Sequence, residues 1–321
     1  MNNDYALGLD LGGTKIAAGV VNSRGSLLSR LRLATPAKGV SGDLAALFDA
    51  AHAAVSAAKT PWERIRAVGV GVPGAFDPQA ETVWAPNLPG WSKVRLKHLL
   101  ERALGRPAWV ESDRNVQALA EAWLGLGAKR QVRNLVFLTV GTGIGAGLIC
   151  EGRLIPGAHG VAGAVGWMVI DRKWRPEYGR LGCFEALGAG PALAKLGQRA
   201  WEQDPSGLIG TLAEKNGGQI TAEVVAAAAR RDDPAARRVM EEIGTNLGLG
   251  VAGIVGLLNP EVVVLGGGLA GTGNLLLAPL RRAVRQWGQP LARKQVRIVI
   301  SSLCEDAGIL GAARYAFLKQ S

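Results

Sequence analysis

Cysteine and histidine are both scarce, with three of each in 321 residues. Cys150, Cys183 and Cys304 lie far apart, and no pair has metal-ligand spacing. The odd number suits reduced thiols rather than a disulfide framework. His52, His98 and His159 are equally isolated and read as surface or packing residues. Long apolar runs are missing too: the longest, around 247–258, is too short and too rich in glycine to span a bilayer. No charged-then-apolar leader precedes the first strand, so the sequence points to the cytoplasm and away from a membrane. Acidic residues are outnumbered, giving a net charge of +11. The basic residues, however, form scattered pairs (Arg230-Arg231, Arg237-Arg238, Arg281-Arg282) mixed with acids, and no continuous basic tract. That pattern argues against nucleic acid as a partner; a positive field drawing in a polyanionic nucleotide explains the charge as well.

What the chain has in quantity is glycine, 45 residues without a collagen-like period, inside a composition that is 48% hydrophobic and 20% charged. This is a folded globular protein, long enough for two packed domains. Its first glycine cluster is Leu7-Gly-Leu-Asp10-Leu-Gly12-Gly13-Thr14-Lys15-Ile-Ala-Ala-Gly-Val-Val21. Two apolar runs flank an acid, two glycines, a hydroxyl and a lysine, which predicts two strands joined by a tight turn. Such a turn is either an ordinary hairpin loop or an anion cradle, in which glycine admits close backbone approach while Thr14 and Lys15 add donors and charge.

The pattern recurs. Residues 134–155 read strand, Gly141-Thr142-Gly143 turn, strand, short turn, strand, and match the spacing of 7–28 over roughly twenty residues, the mark of a duplicated unit. Between the two copies the sequence predicts a third strand over 26–33, a helix over 43–59, a buried strand over 67–72, a loop carrying Trp84, Asn87 and Trp91, a helix over 96–104, a strand over 107–110 and a helix over 116–124. Beyond them, 157–185 is irregular with only 165–170 strand-like. Helices follow at 221–231 and from Asp233-Pro234 to 258, where an N-cap aspartate and a first-turn proline mark the start. A strand at 261–265 leads into Gly266-Gly267-Gly268, and a helix (275–287), a strand (296–301) and a last helix (307–318) close the chain.

Eight motifs in order, D-L-G-G-T-K at 10–15, G-V-P-G at 71–74, P-N-L-P-G-W at 86–91, D-R-N-x-x-A-x-x-E at 113–121, G-T-G-I-G at 141–145, G-C-F-E at 182–185, N-P-E-V-V-V-L-G-G-G at 259–268 and G-I-L-G-A-A at 308–313, resemble the ROK family of repressors and sugar kinases. The resemblance, which covers nearly the whole chain, implies an α/β, two-domain actin-like ATPase (ribonuclease H-like) fold with a nucleotide cleft. The first domain would comprise 1–118 plus 305–321 and the second 119–304. It implies an ATP- and Mg2+-dependent kinase acting on a hydroxyl of a sugar or sugar-like polyol, commonly as a homodimer, the alternative being a non-catalytic sugar- or nucleotide-binding regulator. Family repressors carry a winged helix ahead of the first turn; with nine residues before Asp10, none is expected here.

Carried over residue by residue, the resemblance assigns Asp113 as catalytic base. Asp10, Gly12, Gly13, Thr14, Lys15, Gly141, Thr142 and Gly143 would hold phosphates and their cation, and Gly266, Gly267 and Gly268 would lie beside the adenosine. Gly74, Asn87, Ser112, Asn115, Ala164, Trp167 and Glu185 fall at sugar-contacting positions. Asp113 also suits an N-cap, and a helix N-terminus would lower its pKa. The sequence departs from zinc-bearing members at 160–185. The sugar-binding glutamate of G-x-x-G-E-x-G-H is Ala164, and its zinc-ligating histidine is Trp167. The C-x-C-G-x-x-G-C segment reads Pro176-Glu-Tyr178-Gly179-Arg-Leu-Gly182-Cys183, leaving one thiol of three. One such ligand does not hold zinc, so no zinc is expected, and the specificity is expected to shift from glucose. Trp167 would either plug the vacant metal position, together with Trp174, or stack on a ring. Glu185 would bind a hydroxyl or pair with an arginine.

Overall fold

The computed structural model describes residues 4–129 and 131–320. The chain divides into two compact units, Met1–Phe137 with Gly147–Ala162 and Ser302–Ser321, and Leu138–Ala146 with Gly163–Ser301.

In the first unit, alternation ends at a glycine turn and produces the hairpin β1 (Tyr5–Leu11) and β2 (Lys15–Asn22), paired antiparallel from Tyr5↔Asn22 to Leu11↔Ile16. β3 (Leu31–Ala34) joins the outer edge of β2. It is shorter than the strand expected at 26–33, because Leu27 forms only an isolated bridge to Val21 and the Ser29 hydroxyl turns inward to the Ala54 carbonyl. β4 (Ile65–Val72) and β7 (Ala108–Ser112) add in parallel on the other side, giving the order β3-β2-β1-β4-β7. The expected loop after β4 contains a small hairpin, β5 (Ala75–Asp77) and β6 (Thr82–Trp84).

Two layers cover this sheet. One side packs against the helix Val40–Ala57 and the helix Leu96–Leu104. The former starts three residues earlier than predicted, and its Asp43 is fully buried and accepts from Trp91 Nε1 at 3.0 Å. The other side carries the helix Asp113–Trp123 and the last helix, Ala307–Gln320. A Cβ on Gly8 or Gly69 would lie about 2 Å from the Ile309 or Ala312 carbonyl oxygen (2.1 and 1.9 Å), so the last helix sits at a distance only glycine permits.

The second copy of the turn lies in β8 (Leu135–Val140) and β9 (Ile144–Cys150), followed by β10 (Arg153–Leu154), β11 (Val262–Gly266) and β12 (Arg297–Ile300). The sheet order is β10-β9-β8-β11-β12. Counted from the start of each copy, both sheets run third, second, first, fourth, fifth. The duplication seen in the sequence is thus a duplication of topology.

In the second unit, the helix Pro234–Leu258 begins as predicted, with the Asp233 side chain accepting from Ala236 N at 2.7 Å, and ends at left-handed Asn259. The helix Asn274–Trp287 lies along it, with Gly248 facing Ala283 and Leu280. Residues 165–170 do not form a strand: Val165–Trp167 is a single 3-10 turn, and Val169 is 78% exposed with no neighbouring strand to pair with. Cys150 and Cys183 are unpaired thiols; the side chain of Cys304 lies outside the described residues. No described helix is long and apolar enough to cross a membrane.

Candidate active site

Parallel pairing brings the acids of the first unit to one edge. Asp10 is registered with Gly71, and Gly71 with Glu111, so the carboxyl ends of β1, β4 and β7 finish at one level. Ligands of open α/β sheets bind beyond such ends. A cavity of about 690 Å³ at the opposite ends, lined by Asp4, Arg66, Arg106 and Arg314 among others, contains none of the expected site residues.

Asp113 begins the helix that follows β7. Its Oδ1 accepts from Arg114 N at 2.7 Å and from the Ser112 hydroxyl at 3.4 Å, while Oδ2 has no hydrogen bond among the described residues. It is the first helical residue rather than the N-cap; Ser112 occupies the cap and makes no side-chain capping bond. Burial raises the Asp113 pKa above the usual carboxylate value and outweighs the Arg114 N–H, the Arg114 charge and Ser112, which all lower it. The helix N-terminus was expected to dominate; the loss of hydration does.

Asp10 ends β1. Burial first, and the charge of Asp113 second, push its pKa up to about 7 against the pull of Lys15 and Arg32. Two acids that disfavour each other's ionisation thus face a common region. The first turn is closed by Gly12 N donating to the Lys15 carbonyl at 2.8 Å and by Thr35, whose hydroxyl donates to the Gly12 carbonyl at 2.7 Å. Gly13 and Thr14 are exposed, as an anion would require. Lys15 Nζ lies 3.6 Å from Glu305, which also pairs with Arg32.

The remaining first-unit candidates divide. Gly74, at φ 146°, offers its carbonyl to Arg114 at 3.2 Å, and Asn87 is exposed on the loop beside Gly13. Ser112 and Asn115 are fully buried. The Asn115 amide donates to Glu111 Oε1 at 2.9 Å, which also accepts from Ser112 N at 2.8 Å. Glu111 was not singled out in the sequence. It also takes a hydrogen bond from Tyr315 on the last helix, and this bond, with burial, raises the tyrosine's pKa. The carboxylate fixes the start of the helix that carries Asp113; only its place one residue before Ser112-Asp113 could have marked it.

In the second unit, Gly141 N donates to the Gly143 carbonyl at 2.9 Å and Gly190 N to the Gly141 carbonyl at 2.8 Å. Glu185, on the short helix Cys183–Gly188, reaches this turn: its Oε2 accepts from Ile144 N at 2.7 Å, and a Cβ on Gly143 would stand 2.7 Å from it. Of the two roles expected for Glu185, a sugar hydroxyl or an arginine pair, no arginine pair is present among the described residues, and a backbone N–H occupies Oε2. Oε1 has no hydrogen bond among the described residues, and burial raises the Glu185 pKa. Thr142 is exposed, as are Gly267 and Gly268, while Gly266 is buried as the last residue of β11. Ala164 is exposed, and Trp167 and Trp174 are 57% and 69% exposed. Neither tryptophan is a plug: with Val169, Asp171 and Tyr178 they line an open hollow of about 260 Å³.

Comparison with known proteins places this arrangement in a family. The ROK family model matches residues 6–319. A glucokinase from Thermotoga maritima is 32% identical over 309 residues, 96% of this chain and 95% of that protein. A glucokinase from Streptomyces coelicolor is 34% identical, over 97% and 96%. Among solved structures, a ROK family glucokinase from Streptomyces griseus, in complex with glucose and AMPPNP, superimposes with a TM-score of 0.83 at 32% identity, covering 99% of this chain and 100% of that one. The ROK hexokinase from Thermus thermophilus gives 0.78 at 33%, covering 98% and 99%. With its motifs in order, its doubled sheet and a match along nearly its whole length, this chain belongs to the ROK family.

Proposed function

We propose that this protein is an ATP-dependent sugar kinase in which Asp113 takes the proton of the acceptor hydroxyl. The carrying observation is Asp113 itself: its Oδ1 is held by Arg114 N and Ser112, and its Oδ2 has no hydrogen bond among the described residues, at the carboxyl end of the sheet near Asp10. As the hydroxyl oxygen bonds to the γ-phosphorus, the bond to the ADP oxygen breaks and the hydroxyl proton passes to Oδ2. A base raised by burial accepts that proton more readily than an ordinary aspartate would, and phosphoryl transfer otherwise rests on positioning and charge.

In this reading Gly12, Gly13, Thr14 and Lys15 serve as phosphate contacts, as do Gly141, Thr142 and Gly143, and Gly267 and Gly268 serve the adenosine. Magnesium entering with ATP supplies charge neutralisation. Asp10 fits such an ion because burial and Asp113 outweigh the compensation its negative charge receives from Lys15 and Arg32. Asn87 and the free Oε1 of Glu185 contact sugar hydroxyls. Glucokinases are among its relatives, but Ala164 and Trp167 remove a carboxylate and an imidazole from the sugar loop, so the preferred sugar differs from glucose. A lost charged hydrogen bond weakens one sugar by about 1.5–3 kcal/mol without abolishing phosphorylation. We further propose that it is a cytoplasmic homodimer, binds no nucleic acid and works without zinc.

ADP release across hexoses, amino sugars, ketoses and carbocyclic analogues tests the reading. Turnover with at least one of them is expected, and Asp113→Asn should lower kcat by about a hundredfold to ten-thousandfold while ATP affinity stays within twofold (~0.4 kcal/mol). ATP binding without turnover on any of them would favour a non-catalytic regulator.

A further inference from the structure

The residues at 163–188 do not fit a zinc ion: Trp167, Pro176 and Tyr178 stand where three ligands would be, and no group of three metal-binding side chains occurs among the described residues. Yet this segment carries Glu185 and must be held in place. We propose that a metal-free clasp built from Asp171, Arg175, Tyr178 and Trp174 orders the segment and positions Glu185 for the sugar.

The clasp is assembled on one carboxylate. Asp171 Oδ2 accepts from the Tyr178 hydroxyl at 3.1 Å and from Arg175 at 3.2 Å, and Oδ1 accepts from Lys173 N at 3.0 Å. The Arg175 guanidinium lies over the Tyr178 ring, 5.8 Å from its centre, and the Trp174 ring meets Tyr178 edge-on at 6.1 Å while lying against Gly179. Tyr178, at the position of the second cysteine, is 4% exposed although its neighbours face solvent. The protonation states agree: the hydrogen bonds from Lys173 N and Tyr178 and the Arg175 charge hold Asp171 below the usual carboxylate range, and burial with Asp171 pushes Tyr178 up to about 12. The tyrosine stays a donor and the aspartate an acceptor throughout the neutral range.

From Tyr178 to Glu185 the chain is tied at each step. Gly182 N donates to the Tyr178 carbonyl at 3.0 Å, and Phe184 N donates to the Met168 carbonyl at 3.1 Å. Gly182 has φ 86°, and any Cβ there would stand 2.4 Å from the Gly166 oxygen, so the turn at Val165–Trp167 and the helix at Cys183–Gly188 lock together. Glu185 Oε2 then meets Ile144 N. The phosphate turn has further supports at Gly141 and Gly190, whereas among the described residues no hydrogen bond reaches Glu185 Oε1, so its place depends on how the segment is held.

This inference rests on Glu185 contacting sugar, so its test has one arm that needs no turnover. Asp171→Asn and Tyr178→Phe should each raise the KM for the best sugar about tenfold, with kcat and the ATP KM within threefold (~0.7 kcal/mol). The double variant should fall short of the sum of the two single ones, because both weaken the same Tyr178–Asp171 bond. Independently of any substrate, amide exchange at Gly182, Phe184 and Ile144 should quicken in both variants. Metal analysis should find no stoichiometric zinc in the wild-type protein, and chelator treatment should leave that exchange unchanged. Tyr178→Phe deletes only a hydroxyl, so it reports even if Asp171→Asn does not fold. Unchanged exchange in Tyr178→Phe, or one zinc per chain, overturns the clasp. Faster exchange with no turnover on any sugar overturns the kinase reading and leaves the clasp standing.

Discussion

The two glycine turns occupy equivalent places in equivalent sheets, yet they are held by different means. The first is closed by its own hairpin, through Gly12 N and the Lys15 carbonyl, and braced by Thr35, just after β3 and twenty-three residues away. The second borrows its support: Gly190 holds Gly141, and Glu185, 41 residues from Ile144, holds the residue after Gly143. A turn that supports itself keeps its shape whatever happens around it. A turn that leans on the helix Cys183–Gly188 is tied to that segment, and with it the phosphate role proposed for the turn. The same turn is thus present twice, and in one copy Glu185 links it to the helix Cys183–Gly188.

The sharpest way to break this difference is Glu185→Ala, which removes both the acceptor of Ile144 N and the proposed sugar contact. It should lower kcat/KM for the sugar about tenfold to a hundredfold and raise the ATP KM as well. Glu185→Gln keeps a carbonyl for Ile144 N, so it should recover the ATP KM but only part of the sugar KM. The matching change on the first turn, Thr35→Val, removes one neutral hydrogen bond, worth about 1 kcal/mol, and should leave the sugar KM unchanged. Equal responses of ATP and sugar to all three variants, read by steady-state kinetics, would show that the two turns are not supported differently.

A second contrast is electrostatic, since only the first sheet ends in a carboxylate beside another. Asp10 has a pKa of about 7 in the fold against 3.8 for a free side chain. The folded protein therefore binds the proton over a range in which the unfolded chain has released it. Stability from this group is fully present below about pH 4, falls as the pH rises and is gone above about pH 7. Asp113 and Glu185 shift in the same direction. Without nucleotide, the unfolding midpoint should be higher at pH 5.5 than at pH 7.5. Asp10→Asn should flatten that slope and raise Tm at pH 7.5 by about 5 °C, the order expected from at most ~4 kcal/mol, while impairing catalysis. A pH slope that survives Asp10→Asn unchanged would place the titration elsewhere.

The fold was legible where local rules and long-range packing agree. The glycine turns with their apolar flanks marked both hairpins, the spacing of the copies foretold the repeated sheet order, and Asp233-Pro234 marked the start of its helix. Legibility failed where the deciding partner is distant or the medium decides. Residues 165–170 have the β-branched content of a strand, but Gly166 closes a 3-10 turn there and no strand edge is available to Val169. The depressed pKa expected for Asp113 followed from its helix position; burial, which no local pattern shows, reverses it. Glu111 acquires its role only when Tyr315 arrives from the other end of the chain, and Glu185 only when Ile144 does. The motif residues announced the chemistry, while the residues that hold them were visible only in three dimensions.

The smallest effect concerns the one feature the first turn has and the second lacks, a lysine. Lys15 and Glu305 are each about half exposed (48% and 58%) and 3.6 Å apart, and Glu305 divides its charge between Lys15 and Arg32. Exposed pairs of this kind contribute about 0–1 kcal/mol to stability. ATP would have to draw Lys15 away from Glu305, so the pair competes weakly with the phosphates rather than supporting the turn, which Gly12 and Thr35 already close. Glu305→Gln should therefore leave Tm within about 2 °C and lower the ATP KM by about twofold, with the gain shrinking as salt rises from 50 to about 500 mM because screening already weakens the pair. An ATP KM raised instead would make Glu305 a support of the first turn, and the two turns would then be alike in needing a carboxylate from outside.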